Sequence, residues 1–183
     1  MRIIAGEWRR RQLRVAAGEA TRPSADRVRE TLFSMLASRL GSFEGLRVAD
    51  LFAGSGALGL EALSRGAASC LFVEQDAAAI RALRANIAAL RAQDRAEVRA
   101  ASVLHLGPAQ QAMDLILLDP PYHTGAGAVA LDRLNRLGWT GPASTIVLET
   151  AWNEDVKIRS LALDDQRRVG SAKLTFLRAA DPS

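Results

Sequence analysis

Strand-like and helix-like segments alternate along most of this 183-residue chain, and this alternation limits its possible folds more than any other feature. Helices are predicted from about Ser24 to Gly41 and at residues 56–65, 77–90 and 127–137, and strands at residues 47–52, 69–74, 96–101, 114–118 and 144–149. Because parallel strands are joined by crossover helices, the pattern predicts a mostly parallel α/β sheet with helices on both faces. Residues 157–163 and 174–178 predict an antiparallel strand pair around Gly170.

A small β-hairpin is predicted at the amino end, with strands at residues 2–5 and 11–15 and a turn through Gly6. Residues 1–30 hold eight arginines and four acidic residues, whereas the other 16 basic and 16 acidic residues of the chain cancel. The whole net charge of +4 therefore lies in this segment, and such a cluster is the electrostatic footprint of a polyanion partner. Since an isolated hairpin is marginally stable, we expect it to pack on the main domain or on a ligand.

The composition excludes several other classes of protein. Hydrophobic residues make up 49% of the chain and the mean hydropathy is +0.02, which is typical of a globular domain. No apolar run approaches the ~18 residues of a membrane span, and the first residues lack the layout of a signal peptide, so a cytoplasmic location is expected. The single Cys70 excludes an internal disulfide and a cysteine metal cluster, and no metal site is expected.

A glycine-rich loop separates the first strand of the predicted sheet from its helix. Gly54, Gly56 and Gly59 match the pattern G-x-G-x-x-G, and Glu74 follows Gly54 by 20 residues, at the end of the second strand. Glycine lets the backbone turn sharply and approach a ligand closely, and an acid at this place suits the hydroxyls of a ribose. The loop therefore predicts a site for a cofactor that contains adenosine.

Asp50, which lies just before this loop, helps to choose between two such cofactors. NAD would place its pyrophosphate near the amides of the following helix, where anions are favoured. A carboxylate at the same place repels a pyrophosphate, whereas it suits the ammonium and sulfonium groups of S-adenosylmethionine. The sequence therefore favours the methyl donor over the dinucleotide.

The tetrad Asp119-Pro120-Pro121-Tyr122, directly after the fourth strand, is suited to holding a planar amino group. Prolines fix φ and lack an N–H, so the carbonyls of Asp119 and Pro120 are held in a rigid turn. These carbonyls and the Asp119 carboxylate accept hydrogen bonds, an exocyclic NH2 donates two, and Tyr122 offers a face for stacking. The alternative is that the prolines only end the strand and Tyr122 covers the core. We expect the tetrad and the glycine loop to share one crevice at the carboxyl ends of the strands.

Further segments complete the pattern, namely Arg2-Ile3-Ile4-Ala5-Gly6, Trp8-Arg9, Arg22-Pro23 and residues 26–33 and 52–62. The loop, Glu74 and the tetrad resemble the Rossmann-like class I amino-methyltransferases, and with these segments the chain is similar to the RsmD family of bacterial 16S rRNA guanine-N2 methyltransferases. The chain departs from the family at Ala5 and Arg10, where Gly is common, and at Ala101-Ser102, where related enzymes often carry an Asp or Asn for the adenine.

The resemblance implies methyl transfer from S-adenosylmethionine to the exocyclic N2 of one guanine in 16S rRNA. The chain would act as a monomer on the small ribosomal subunit or on an assembly intermediate. Catalysis is expected from Asp119, Pro120, Pro121 and Tyr122. Cofactor contacts are expected from Asp50, Phe52, Ala53, Gly54, Ser55, Gly56, Gly59, Glu74, Gln75, Ser102, Arg22 and Arg27. RNA contacts are expected from Arg2, Trp8, Arg9, Arg10, Arg11 and Arg14.

Two of these residues have open alternatives. Trp8 either stacks on a base or packs the hairpin on the main domain. Arg27 and Arg29 lie about 200° apart on a helix, so one faces the cofactor crevice and the other faces solvent. The expected organisation is a basic, RNA-binding hairpin arm at residues 1–20 and a catalytic domain at residues 21–183.

Two other functions remain open at this point. The amine could belong to a DNA adenine, a DNA cytosine or a glutamine side chain, since each presents an NH2 group. The chain could also be a non-catalytic RNA-binding assembly factor. The basic arm and the lack of a separate DNA-recognition domain favour structured RNA, and the intact motifs favour catalysis.

Overall fold

A seven-stranded sheet forms the centre of the protein in the computed structural model, which describes residues 1–18 and 23–180. Five strands are parallel, namely β1 (Arg47–Leu51), β2 (Ser69–Glu74), β3 (Ala96–Ala100), β4 (Leu115–Leu118) and β5 (Thr145–Ala151). The antiparallel strands β6 (Leu161–Val169) and β7 (Ala172–Ala179) follow, and the spatial order is β3-β2-β1-β4-β5-β7-β6. The predicted α/β fold, with its mostly parallel sheet and antiparallel carboxyl end, is confirmed.

Helices cover both faces of this sheet. They are α1 (Pro23–Leu40), α2 (Ala57–Ser64), α3 (Ala77–Ala89) and α4 (Ala126–Arg136). Successive residues of a strand point to opposite faces. In β2, Cys70 and Phe72 therefore pack with α1, α2 and α3, whereas Leu71 and Val73 pack with α4. Both faces of the central strands are buried, which explains why their sequences are continuous apolar runs rather than alternating ones.

The predicted helices and the first five strands agree with the structure to within two residues at each end. The strand predicted at residues 157–163 is present as β6, but its bounds are wrong, because β6 runs from Leu161 to Val169. The buried Ile158, which lies before the strand, gave a misleading apolar signal. β6 is an edge strand in which only Leu161 and Val169 are buried, so most of its length carries polar residues and no apolar period.

The amino-terminal segment forms a narrow hairpin that packs on α2 and α3. Its antiparallel pairing is limited to a bridge between Arg2 and Gln12 and a few flanking hydrogen bonds, so the two predicted strands are shorter than expected. The Glu7 amide donates a 2.8 Å hydrogen bond to the Ser64 carbonyl at the end of α2. A side chain at Gly6 would overlap that same carbonyl group, so the close approach requires glycine. The expectation that the hairpin packs on the main domain is confirmed.

Trp8 belongs to this packing. Its side chain is only 6% exposed, and the guanidinium of Arg95 lies over its ring at 5.3 Å from the centroid. With Ile3 and Leu13, the ring joins the core beneath α1, α2 and α3. The expectation that Trp8 stacks on an RNA base is therefore corrected: burying the large apolar ring holds the hairpin on the domain.

In the part of the chain that the structure describes, no helix combines the length and apolar character needed to cross a membrane.

Candidate active site

A cleft of about 840 Å³ opens at the carboxyl ends of β1, β2, β4 and β5. The chain leaves β1 for β2 on one side and returns to β4 on the other, so the cleft lies at the switch point of the sheet, where α/β proteins bind ligands. Leu51 pairs with Val73 in β2 and with Leu118 in β4. The next residue of β2, Glu74, and the residue after β4, Asp119, both line the cleft, and the two predicted motifs therefore meet.

Asp50 places a negative charge at the amino end of α2. Its side chain is 1% exposed and lines the cleft, and its Oδ2 accepts a 2.9 Å hydrogen bond from the amide of Gly59. Gly59 lies in the first turn of α2, where free amides would otherwise attract an anion. A carboxylate already occupies the place that a pyrophosphate would need. This end of the cleft therefore favours a cationic group over a dinucleotide.

Glu74 joins the glycine-rich loop to the end of β2. Its Oε1 accepts a 2.8 Å hydrogen bond from the Gly54 amide, and its Oε2 accepts bonds from the Gln75 and Asp76 amides at 2.8 and 2.9 Å. An ionised carboxylate has about four acceptor positions. Glu74 can therefore fix the loop and still accept a hydrogen bond from a hydroxyl group in the cleft.

Only some residues of the glycine-rich loop line the cleft. Phe52, Ala53, Gly54 and Ser55 line it, as do Gln75 and Ser102 beyond the loop.

Gly56 and Gly59 are buried behind the cleft and do not line it. A Cβ on Gly59 would overlap the Phe72 ring and lie 2.7 Å from Sγ of Cys70. The expected cofactor contact of these two glycines is corrected to a packing role. The missing side chain of Gly59 lets α2 approach β2 closely, whereas a Cβ on Gly56 would overlap Leu83 of α3.

Arg29, rather than Arg27, is the arginine of α1 that faces the cleft. Arg29 is 5% exposed and lines the cleft, whereas Arg27 is exposed and does not line it. The expected cofactor contact of Arg27 is thereby corrected. Arg29 shares one face of α1 with the buried Leu32 and Phe33, at the i+3 and i+4 positions. The apolar pattern of α1 therefore indicated that Arg29 is the arginine that faces inward. Arg22 lies outside the described residues.

The tetrad forms a turn along the cleft, which all four residues line. Pro120 is buried, whereas the Asp119 side chain is exposed. Tyr122 is 39% exposed, and its hydroxyl donates a 2.7 Å hydrogen bond to Oε2 of Glu149. Burial, together with the hydrogen bond and charge of Glu149, raises the pKa of Tyr122, so the phenol stays protonated and remains a donor. The turn therefore presents a carboxylate next to an aromatic ring whose hydroxyl is fixed.

Glu149 was not identified from the sequence, although it lines the cleft. Leu118 pairs with Leu148, so Asp119, which follows β4, and Glu149, near the carboxyl end of β5, are neighbours on adjacent parallel strands. Burial raises the pKa of Glu149, whereas hydrogen bonds with the Tyr122 and Asp119 side chains lower it. The rule that located Asp119, a polar residue at the carboxyl end of a parallel strand, would also have pointed to Glu149.

The exposed arginines of the hairpin lie along a path that starts at the cleft. Met1 and Gly18, near the two ends of the hairpin, line the cleft, whereas the turn at residues 6–8 contacts Ser64 at the far end of α2. Arg11 donates a 2.8 Å hydrogen bond from Nη2 to the Ala89 carbonyl of α3. The exposed side chains are those of Arg2, Arg9, Arg10, Arg11 and Arg14.

The sheet order, the glycine loop and the acidic residues of the cleft are those of a Rossmann-like methyltransferase. A family model described as conserved hypothetical protein 95 matches residues 1–178. The ribosomal RNA small subunit methyltransferase D of Escherichia coli K12 is 39% identical over 150 residues, which are 82% of this chain and 74% of the relative. The protein of the same name from Haemophilus influenzae is 41% identical over 154 residues, 82% of this chain and 78% of the relative.

A solved structure, described as the putative methyltransferase yhhF from Escherichia coli, superposes with a TM-score of 0.84 at 33% identity and covers 98% of this chain and 97% of that one. The chain belongs to the conserved hypothetical protein 95 family, which is the RsmD family, and the resemblance seen in the sequence is confirmed.

Proposed function

We propose that this protein transfers a methyl group from S-adenosylmethionine to the exocyclic N2 of a guanine in 16S rRNA. The observation that carries the proposal is the meeting of Asp50, Glu74 and the tetrad in one cleft at the switch point of the sheet. The relatives named ribosomal RNA small subunit methyltransferase D support an rRNA substrate.

The cleft fits S-adenosylmethionine. The buried Asp50 carboxylate suits its cationic groups, and the remaining acceptor position of Glu74 suits a ribose hydroxyl. Residues 52–55 border the same space, as do Ser102 and Leu104. When bound, S-adenosylmethionine supplies a methyl group attached to a positively charged sulfur. The protein residues have to bind the donor and exclude water.

The tetrad would hold and orient the acceptor amine. An exocyclic amine on a purine is a poor nucleophile because its lone pair is delocalised into the ring. Hydrogen bonds from the NH2 group to the Asp119 carboxylate and the Pro120 carbonyl favour a more tetrahedral nitrogen, which contributes through positioning and electrostatic preorganisation. N2 would form a bond to the methyl carbon as the methyl–sulfur bond breaks and the neutral thioether leaves. N2 would then lose one proton, which the Asp119 carboxylate can accept.

The RNA would bind across the cleft and the hairpin. A guanine has to leave its stack to reach the tetrad, and the ring of Tyr122 can replace the lost stacking. The exposed arginines at residues 2–14 would bind phosphates, which makes residues 1–20 the RNA-binding segment and residues 21–183 the catalytic domain. We also propose that the protein acts as a monomer in the cytoplasm, on the small subunit or an assembly intermediate.

Labelled-methyl transfer followed by nucleoside analysis tests the proposal. The protein is incubated with labelled S-adenosylmethionine and either naked 16S rRNA or small subunits that lack the modification. N2-methylguanosine is the expected product, and the better of the two substrates identifies the physiological form. Methyladenosine, methylcytidine or methylglutamine would redirect the assignment to another amine. Tight RNA binding without any transfer would indicate a non-catalytic assembly factor.

A further inference from the structure

The tetrad alone does not distinguish guanine from other amines, because adenine, cytosine and glutamine also present an NH2 group. These amines differ in the neighbouring atom. In adenine and cytosine the adjacent ring nitrogens are acceptors, and in glutamine the neighbour is a carbonyl oxygen. In guanine the amine at N2 lies beside N1–H, which is a donor. A site that selects guanine therefore needs a second acceptor beside the one that holds the amine.

The structure contains a second acceptor at this place. The pairing of Leu118 with Leu148 puts Glu149 next to Asp119 near the carboxyl ends of adjacent strands, and parallel strands lie only about 4.8 Å apart. Both residues line the cleft. The Tyr122 hydroxyl donates a hydrogen bond to Oε2 of Glu149. Glu149 is the acceptor in this contact, which fixes the orientation of its carboxylate.

We propose that Glu149 selects guanine by accepting a hydrogen bond from N1–H while Asp119 holds the N2 amine. The inference rests on the proposed function and adds the residue that distinguishes guanine from the other amines. Adenine, cytosine and glutamine would direct an acceptor at the Glu149 carboxylate, and two facing acceptors repel each other without a hydrogen bond. Such a mismatch is penalised strongly when the unpaired groups are buried, and Glu149 is only partly exposed.

A substrate analogue separates this role from a purely structural one. 2-Aminopurine keeps the amine at position 2 but has no N1–H, and its N1 is an acceptor. We compare kcat/KM for rRNA that carries either guanine or 2-aminopurine at the methylated position, using the wild-type protein and the Glu149→Gln variant. The wild-type protein should disfavour 2-aminopurine by at least about tenfold. Glu149→Gln should lower transfer to guanine and reduce this preference, because the glutamine amide can donate to N1.

Two further variants serve as controls. Tyr122→Phe removes the hydroxyl that bonds to Glu149 but keeps the carboxylate, so its activity should fall while its preference for guanine remains. Glu30→Gln changes an exposed glutamate on α1 that does not line the cleft, and should leave both activity and preference unchanged.

The possible outcomes separate the two proposals. If Glu149 only positions Tyr122, Glu149→Gln lowers transfer to both bases by the same factor, and the selection role is overturned. Equal wild-type transfer to guanine and 2-aminopurine overturns it as well, even if the variant does not fold. Wild-type protein that makes no N2-methylguanosine overturns the proposed function, and the selection role falls with it.

Discussion

Arg29 and Glu61 form a buried ion pair, with Nη1 of the arginine 3.3 Å from Oε1 of the glutamate and side-chain exposures of 6% and 0%. Glu61 also accepts hydrogen bonds from the amides of Ile4 and Ala5, at 2.8 and 3.1 Å, and pairs with Arg65 at 2.9 Å. One carboxylate therefore connects the hairpin, α1 and α2, and it holds Arg29 beside the cleft.

Replacing Glu61 with Gln should strongly destabilise the protein. The change removes the negative charge but leaves the buried Arg29 guanidinium, and breaking a buried pair in this way costs about 3–5 kcal/mol. The free energy of unfolding, measured by urea titration, checks this. The control is Glu97→Gln, which breaks the exposed pair with Arg99 and should cost less than about 1 kcal/mol. Similar losses in the two variants would contradict a special role for the buried pair.

A methyl group at Gly59 should be poorly tolerated. The new Cβ in Gly59→Ala would meet the Phe72 ring and the Cys70 sulfur, and overpacking of this kind costs about 1–3 kcal/mol. Gly107→Ala is the matched control, because no atom lies within 4 Å of the position of its Cβ, and a change of less than about 0.5 kcal/mol is expected. Thermal unfolding of both variants distinguishes them. An unchanged melting temperature for Gly59→Ala would contradict the packing role of this glycine.

The ionisation of Glu149 should lower the free energy of unfolding as the pH rises. Burial raises its pKa above the ordinary value of 4.5, so the folded state holds the proton more tightly than the unfolded chain does. This contribution is fully present below pH 4.5 and is lost as the pH rises through the higher pKa of the folded state. Glu149→Gln cannot titrate, and its free energy of unfolding should decline less over the same range. Parallel pH profiles for the wild-type protein and the variant would show that another group is responsible.

Removing the Asp119 carboxylate should strongly reduce methyl transfer and leave RNA binding nearly unchanged. Asp119→Ala leaves the amine without its charged acceptor, and the loss of such a group lowers kcat by about 10²–10⁴-fold. Transfer of labelled methyl and a filter-binding assay with 16S rRNA measure the two effects separately. Asp94→Ala, an exposed position outside the cleft, is the control and should transfer normally. Undiminished transfer by Asp119→Ala would exclude the mechanism.

Neutralising Arg9, Arg10 and Arg11 to Gln should weaken RNA binding and flatten its salt dependence. Each phosphate contact contributes about −0.9 to the slope of log K against log[salt] for a double helix and somewhat less for single strands. The affinity for 16S rRNA, measured at several salt concentrations, gives this slope.

The control replaces Arg136, Lys157 and Arg159 with Gln, which changes the net charge by the same amount. These three residues are exposed on the α4 side of the sheet. This variant should bind RNA normally. If both triple variants lose affinity equally, the hairpin is not a specific RNA surface.

The sequence predicted most of the fold because its signals are local. Residues 69–74 contain an apolar run followed by an acid, and this segment forms β2. The tetrad and the glycine loop were found for the same reason, since each is a short segment at the end of a strand. The bounds of β6 were predicted wrongly because an edge strand that faces solvent needs no apolar pattern.

The rest of the candidate site depended on neighbours that are distant in the chain. Glu149 belongs to the site because β5 pairs with β4, which brings this residue beside Asp119 and Tyr122. The choice of Arg29 over Arg27 followed from the face of α1 that packs on the sheet.

The sequence by itself thus determined the class of fold, the position of the glycine loop and the acceptor groups of the tetrad, because hydrophobic period and backbone chemistry act within a few residues. The tertiary structure alone decided that Trp8 is buried, that Gly59 packs instead of binding, and that a second carboxylate stands next to Asp119. These outcomes arise because burial and strand pairing join residues that are separated by tens of positions along the chain.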